Sequence, residues 1–110
     1  MPEKKQLTEK DSGASIDLRV QDILVISLLD NPTTGFQWEI DRADSQILRP
    51  IGNPVYEPSS NLVGSAGRTT FQFEAAEAGS TKLRLLYYRP FEKDVAPAST
   101  FDLNVTITGR

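Results

Sequence analysis

Residues 22–41 read DILVISLLDNPTTGFQWEID, and this stretch decides how the chain folds. Apolar side chains recur at every second position on both sides of its centre, at Leu24, Ile26 and Leu28 and then at Phe36, Trp38 and Ile40. A period of two is typical of β-strands that turn one face toward a core. The stretch therefore predicts two strands that share one core, with Trp38 as its largest residue, joined by the loop 31–36.

The residues of this loop favour a stiff connection. Pro32 fixes its own φ and biases Asn31 toward an extended conformation, and Gly35 can adopt a positive φ at little cost. Thr33 and Thr34 at the tip carry hydroxyls that donate and accept hydrogen bonds, and their β-branched side chains have few rotamers to lose on binding. Such a tip suits the cleft of a partner protein, although the same residue types also occur in ordinary turns.

The rest of the chain adds further short strands. They are predicted around Leu7, over 16–20, 68–75, 81–88 and 100–108, and at an edge over 47–51 or 54–57. About seven to eight short strands separated by turns indicate an all-β, immunoglobulin-like antiparallel β-sandwich. We expect residues 1–13 to form a polar N-terminal segment or edge strand and residues 14–110 to form the sandwich domain.

The predicted strands leave two more long loops between them, 60–68 and 89–98. If the strands have an immunoglobulin-like order, the loops 31–36, 60–68 and 89–98 emerge at one end of the sandwich. Leu62 and Val63 lie within a Gly/Ser-rich loop, where apolar side chains either pack on the core or are displayed to a partner.

The third loop begins where Pro90 ends a strand. This leaves Arg89 and Phe91 to project from the loop, and arginine and aromatic residues often anchor interfaces. The alternative is an exposed arginine beside a phenylalanine that belongs to the core.

The composition of the chain excludes several classes of function. The 110-residue chain has no cysteine and no histidine, which excludes Ser-His and Cys-His catalysis and removes the usual zinc ligands. An enzyme would therefore be left with carboxylates, lysines and hydroxyls for its chemistry, and we predict no cofactor and no metal site. A net charge of −3, with mixed signs along the chain, argues against nucleic acid and against a basic membrane-binding surface. A carbohydrate-binding or hydrolytic domain would have to use carboxylates such as Asp30, Glu39 or Asp41.

Three motifs resemble those of the chagasin-like inhibitors of papain-type cysteine peptidases. The sequence NPTTGF at 31–36, with Trp38 two residues beyond it, matches the first motif of that family, and Arg89-Pro90-Phe91 is similar to the third. The sequence GSAG at 64–67 is similar to the second motif, Gly-X-Gly-Gly, but has Ala66 in place of a glycine. Alanine would be strained at this position if the loop required a positive φ.

The resemblance implies a tight, reversible inhibitor that places three loops in the active-site cleft of a papain-family, cathepsin-like cysteine peptidase. The peptidase-binding residues would be Asn31, Pro32, Thr33, Thr34, Gly35, Phe36, Leu62, Val63, Gly64, Ser65, Ala66, Gly67, Arg89, Pro90 and Phe91. A one-to-one complex needs only a monomer. The protein would be periplasmic or secreted if a signal peptide has been removed, and cytoplasmic otherwise. The alternative function is an immunoglobulin-like adhesion or structural binding module.

Overall fold

The computed structural model describes residues 3–31, 34–58, 66–92 and 94–109, and these form two β-sheets packed face to face. The strands in these ranges are β1 (Lys4–Thr8), β2 (Ala14–Arg19), β3 (Ile23–Asp30), β4 (Gln37–Arg42), β5 (Leu48–Pro50), β6 (Val55–Pro58), β7 (Gly67–Ala75), β8 (Gly79–Tyr88) and β9 (Ser99–Thr108). A short 3₁₀ helix, Glu9–Asp11, lies between β1 and β2. No helix in the described ranges is long and apolar enough to cross a membrane.

The first sheet is built around β3, the strand with the strongest apolar pattern. Its strand order is β1-β3-β7-β5, and β6 pairs with β7 beside β5. Both short edge strands that the sequence offered as alternatives are present, one on each side of Pro54. Proline cannot donate to a strand ladder, so the edge is divided into two pieces.

The second sheet has the order β2-β9-β8-β4 and covers the inner face of the first. The two sheets share a core of alternating side chains, with Leu24, Ile26 and Leu28 from one sheet and Leu83, Leu85 and Leu103 from the other fully or almost fully buried. Burying each such side chain contributes about 1.5–3 kcal/mol. The predicted immunoglobulin-like sandwich is therefore confirmed, although the described chain has nine strands and not the seven or eight predicted.

Two strand pairs differ from the predicted antiparallel arrangement. Strand β1 runs parallel to β3, and β2 runs parallel to β9, whereas the other five pairs in the described chain are antiparallel. The 3₁₀ helix carries the chain from the first sheet to the second, so β1 and β2 do not form a hairpin. Thr8 and Asp11 cap this helix, since the Asp11 carboxylate accepts from the Thr8 N–H at 2.8 Å. Strand direction at these edges was not encoded in the apolar pattern.

The largest core residue is not Trp38, as the sequence predicted. Trp38 packs against the core but is only partly buried, and Phe73 and Phe101 are the largest fully buried side chains. Ile40 is 38% exposed, because β4 is an edge strand whose register shifts after this residue. The alternating pattern correctly predicted that β4 is a strand. It did not predict that this strand lies at the edge of its sheet, where no strand covers its outer side.

Candidate functional site

The described parts of the three predicted loops come together at one end of the sandwich. Asp30, at the end of β3, pairs with Gly67 at the start of β7, so the first and second loops are neighbours. Gln37 pairs with Tyr88, so the first and third loops also adjoin. The 3₁₀ helix lies at the same end, because β1 runs parallel to β3.

The first loop forms a tight turn over the residues that the structure describes. The Thr34 N–H and hydroxyl both donate to the Asn31 carbonyl, at 3.1 and 2.6 Å. Gly35 has a φ of +85°, which a side chain would strain. Pro32 and Thr33, the other predicted binding residues of this loop, lie outside the described residues.

Three stacked aromatic rings hold this loop against the second sheet. Phe36 stacks on Tyr87 with ring centres 5.1 Å apart, and Trp38 stacks on Tyr87 at 4.9 Å. The Tyr87 hydroxyl accepts from the Asn31 N–H at 3.0 Å, and the Trp38 indole N–H donates to the Leu29 carbonyl at 2.8 Å. Tyr87 therefore joins both sheets to the start of the loop.

Arg89 is folded back rather than projecting as the sequence predicted. Its guanidinium lies 4.4 Å from the centre of the Phe36 ring, and its Nε donates to the Thr34 carbonyl at 3.0 Å. One terminal nitrogen also pairs with the Glu92 carboxylate at 3.1 Å. The side chain connects the first and third loops, which the motif alone did not indicate.

Phe91 projects from the third loop, with 71% of its surface exposed. The alternative in which it belongs to the core is therefore wrong. An added Cβ at Gly35 would lie 3.0 Å from the Phe91 ring, so the loops pack closely where the glycine leaves space. Pro90 beside it is exposed. A large apolar side chain held at a loop tip is suited to a pocket on a partner.

The second loop is described only at its ends. Gly67 is buried, and an added Cβ there would lie 2.3 Å from the Glu57 carbonyl oxygen, so a glycine is needed where β6 approaches β7. Ala66, which replaces a glycine of the motif, is exposed. Leu62, Val63, Gly64 and Ser65 lie outside the described residues.

Polar contacts behind the loops were not identified from the sequence. Arg68 donates from Nε to the Ser27 hydroxyl at 2.7 Å and pairs with Glu9 at 2.7 Å, which attaches the 3₁₀ helix to the start of β7. These residues are far apart in the sequence, and a lone Glu-Arg pair gives no signal in the sequence.

The buried carboxylate of Asp30 also lies here. Asp30 is only 7% exposed, and its Oδ2 accepts from the Thr69 hydroxyl at 2.6 Å. Burial raises the pKa of the Tyr87 hydroxyl, the Asn31 N–H partly offsets this, and the charge of Asp30 raises the Tyr87 pKa further. The hydroxyl therefore stays protonated at neutral pH.

The carboxylates considered for an enzymatic site do not share a pocket. Glu39 accepts from the Tyr88 hydroxyl on the outer face of the second sheet, and Asp41 is exposed, whereas Asp30 is buried on the inner face of the first sheet. In the part of the chain that the structure describes, no three His, Cys, Asp or Glu residues form a group that could hold a metal ion.

Comparisons with known proteins agree with the motifs. A family model described as "Chagasin family peptidase inhibitor I42" matches residues 17–105. Amoebiasin-2 of Entamoeba histolytica is 30% identical over 102 residues, which are 92% of this chain and 83% of that protein.

Solved structures with a similar fold include a cysteine protease inhibitor and a protein solved in complex with falcipain-2. The cysteine protease inhibitor EhICP2 of Entamoeba histolytica has a TM-score of 0.85 at 24% identity, covering 96% of each chain. PbICP-C, which was solved in complex with falcipain-2, has a TM-score of 0.61 at 22% identity, covering 98% of this chain and 93% of that one. At these identities the structures support the fold.

Proposed function

Because this chain belongs to the chagasin family of peptidase inhibitors, we propose that it inhibits papain-type cysteine peptidases by placing the loops 31–36, 60–68 and 89–98 in the active-site cleft. The predicted family is confirmed, and it consists of inhibitors, not enzymes. Family membership also favours inhibition over an adhesion or structural module.

The observation that carries this mechanism is the direct connection between the first and third loops. Arg89 stacks on Phe36 and donates to the Thr34 carbonyl, and the Phe91 ring packs against Gly35. Two loops that are already fixed to each other lose little conformational entropy on docking, and this favours affinity. Inhibition then results from steric blocking of the cleft.

The exposed Phe91 would provide the apolar anchor of the wedge, and the tip of the first loop would lie over the catalytic cysteine and histidine of the peptidase. We expect an interface of roughly 800 Å² on each partner, the standard size for peptidase–inhibitor complexes. The chain has no cysteine of its own, so the complex forms without a disulfide to the catalytic cysteine of the peptidase.

Titration of papain activity with the purified protein tests the proposal, with trypsin as the control peptidase. We expect stoichiometric loss of papain activity at one inhibitor per enzyme and no effect on trypsin. Papain with an alkylated active-site cysteine should still bind in a calorimeter, because steric blocking does not need the nucleophile. Mass spectrometry after dissociation should find the inhibitor intact. Absence of papain inhibition at micromolar concentration, or cleavage within the first loop, would contradict the mechanism.

A further inference from the structure

Asp30 interrupts the apolar pattern of β3. The inward positions of this strand carry Leu24, Ile26 and Leu28, and the next inward position carries an aspartate that is only 7% exposed. A buried carboxylate is costly unless hydrogen bonds replace those that it made to water. A further apolar side chain at this position would extend the core, so packing does not explain the aspartate.

The Asp30 side chain lies where the strands that carry the three loops meet. Strand β3 leads into the first loop, β7 follows the second loop and β8 leads into the third. Oδ2 of Asp30 accepts from the Thr69 hydroxyl of β7 at 2.6 Å. The Tyr87 hydroxyl of β8 lies 3.0 Å from the Asn31 nitrogen, which is bonded directly to the backbone of Asp30. One carboxylate therefore adjoins all three strands.

The hydrogen bonds of the Tyr87 hydroxyl indicate Asp30 as its acceptor. The hydroxyl oxygen accepts from the Asn31 N–H, so the hydroxyl proton is left to donate. Oδ1 of Asp30 is buried and accepts no hydrogen bond from another described residue, so the carboxylate can take a second donor. Burial is the largest cause that raises the Tyr87 pKa, and the charge of Asp30 and its ability to accept the hydroxyl proton raise this pKa further.

We propose that Asp30 is a positioning residue for peptidase inhibition, which accepts the Tyr87 hydroxyl proton and thereby directs the hydroxyl oxygen toward the Asn31 N–H. This inference rests on the proposed function, in which the first loop enters the cleft of the peptidase. Hydrogen bonds that pass through one hydroxyl strengthen each other, so the carboxylate makes the connection to the start of the loop firmer. Asp30 itself is buried and acts on the loop through Tyr87.

Amide exchange, followed by NMR on the inhibitor alone, tests this connection. Tyr87→Phe keeps the stacked ring and removes the hydroxyl, and we expect the Asn31 N–H to exchange about fivefold faster, the size of one lost hydrogen bond. The matched control is Tyr88→Phe, because the Tyr88 hydroxyl donates to Glu39 on the outer face of the second sheet. The Ala98 N–H, which donates to the Tyr87 carbonyl at 2.8 Å, is the reference for a general loosening of the fold.

Two substitutions of Asp30 separate its acceptor atoms from its charge. Asp30→Ala removes the acceptor and should speed the exchange of the Asn31 N–H about fivefold. Asp30→Asn keeps one oxygen for Tyr87, and the Thr69 hydroxyl can accept from the new amide nitrogen, so exchange should stay within about twofold. Combined with Tyr87→Phe, Asp30→Ala should add no further acceleration, because the hydroxyl through which it acts is absent. Asp30→Val fills the space and replaces Asp30→Ala if that variant does not fold.

Inhibition of papain by the same folded variants tests the effect on function. The inhibition constant should rise about fivefold for Tyr87→Phe and Asp30→Ala, and it should stay within about twofold for Tyr88→Phe and Asp30→Asn. If the unchanged protein does not inhibit papain, the proposed function fails, whereas the exchange of the Asn31 N–H still decides whether Asp30 positions the loop.

Four results would overturn the role of Asp30. They are equal Asn31 exchange in Tyr87→Phe and Tyr88→Phe, additive effects in the double variant, an Asp30→Asn variant that behaves as Asp30→Ala does, and acceleration of the Ala98 reference together with Asn31. The last two results would indicate a general effect of the buried carboxylate on the fold.

Discussion

Replacing Arg89 with lysine should separate the role of the guanidinium from the role of its charge. The change leaves the net charge of the protein unaltered. A lysine can still approach Glu92, but it cannot lie flat on Phe36 while donating sideways to the Thr34 carbonyl, as the planar guanidinium does. The perturbation therefore acts on the connection between the first and third loops.

The magnitude follows from the two contacts that are lost. The hydrogen bond to the Thr34 carbonyl contributes about 1 kcal/mol, and the stacking on Phe36 about 0.5–1 kcal/mol for a partly exposed pair. If the complex must restore the arrangement of the loops, the loss of about 1.5–2 kcal/mol raises the inhibition constant for papain about 10- to 30-fold.

The matched control is Arg84→Lys. Arg84 pairs through Nε with Asp102 at 2.6 Å on the outer face of the second sheet, away from the loops. An exposed ion pair of this kind contributes little to stability, and its loss should leave the inhibition constant within about twofold. Urea unfolding of both variants shows whether the fold is retained. An inhibition constant for Arg89→Lys equal to that of Arg84→Lys would refute the assigned role of the guanidinium.

The structure predicts the outcome of three further substitutions. Gly35→Ala should cost about 1–2 kcal/mol in stability for the positive φ alone, and it should weaken papain inhibition because the added methyl displaces Phe91. Phe91→Ala should weaken inhibition without lowering the urea midpoint, since the ring is mostly exposed. The N–H groups of Glu3 and Arg19, each 2.9 Å from the Asp22 carboxylate, hold the Asp22 pKa below its usual range. These hydrogen bonds stabilise the fold at neutral pH, and this stabilisation is lost as the pH falls below about 4, because the Asp22 carboxylate becomes protonated. Asp22→Asn should therefore make the free energy of unfolding depend less on pH in this acidic range.

Each of these has a matched control in the same chain. Gly13 has a similar φ of +87° with nothing near its Cβ position, so Gly13→Ala should lower stability without affecting inhibition. Val95→Ala removes another exposed apolar side chain from the third loop and should act less than Phe91→Ala. Asp17→Asn removes an exposed carboxylate of β2 and should leave the decrease in the free energy of unfolding at acidic pH unchanged. Identical behaviour within any pair would argue against the corresponding contact.

Much of the fold was predictable because it depends on local alternation. The buried faces of β3, β7, β8 and β9 were assigned from sequence spacing alone. The edges were less predictable, since Ile40 follows the apolar pattern and is still partly exposed. Alternation states which side chains share a face, but it does not state whether a neighbouring strand covers that face.

The candidate site, like the fold, could be predicted only in part from the sequence. Its glycine, proline and aromatic positions could be read as motifs, but the sequence assigned Arg89 to the partner, whereas the structure folds it onto Phe36. The role of Tyr87 in connecting the two sheets to Asn31 was also not predicted. Both contacts join residues more than 50 positions apart, and no local pattern specifies such a distance.

The β class, the family motifs and the places of the three loops along the chain could be predicted from the sequence, because strand periodicity, the permissive φ of glycine and the fixed φ of proline are local properties. The parallel pairing of β1 with β3 and of β2 with β9, and the contact between Arg68 and Glu9, depend on the tertiary structure. These features arise where two sheets and distant chain segments pack together, so their energies depend on the whole arrangement and not on any one stretch.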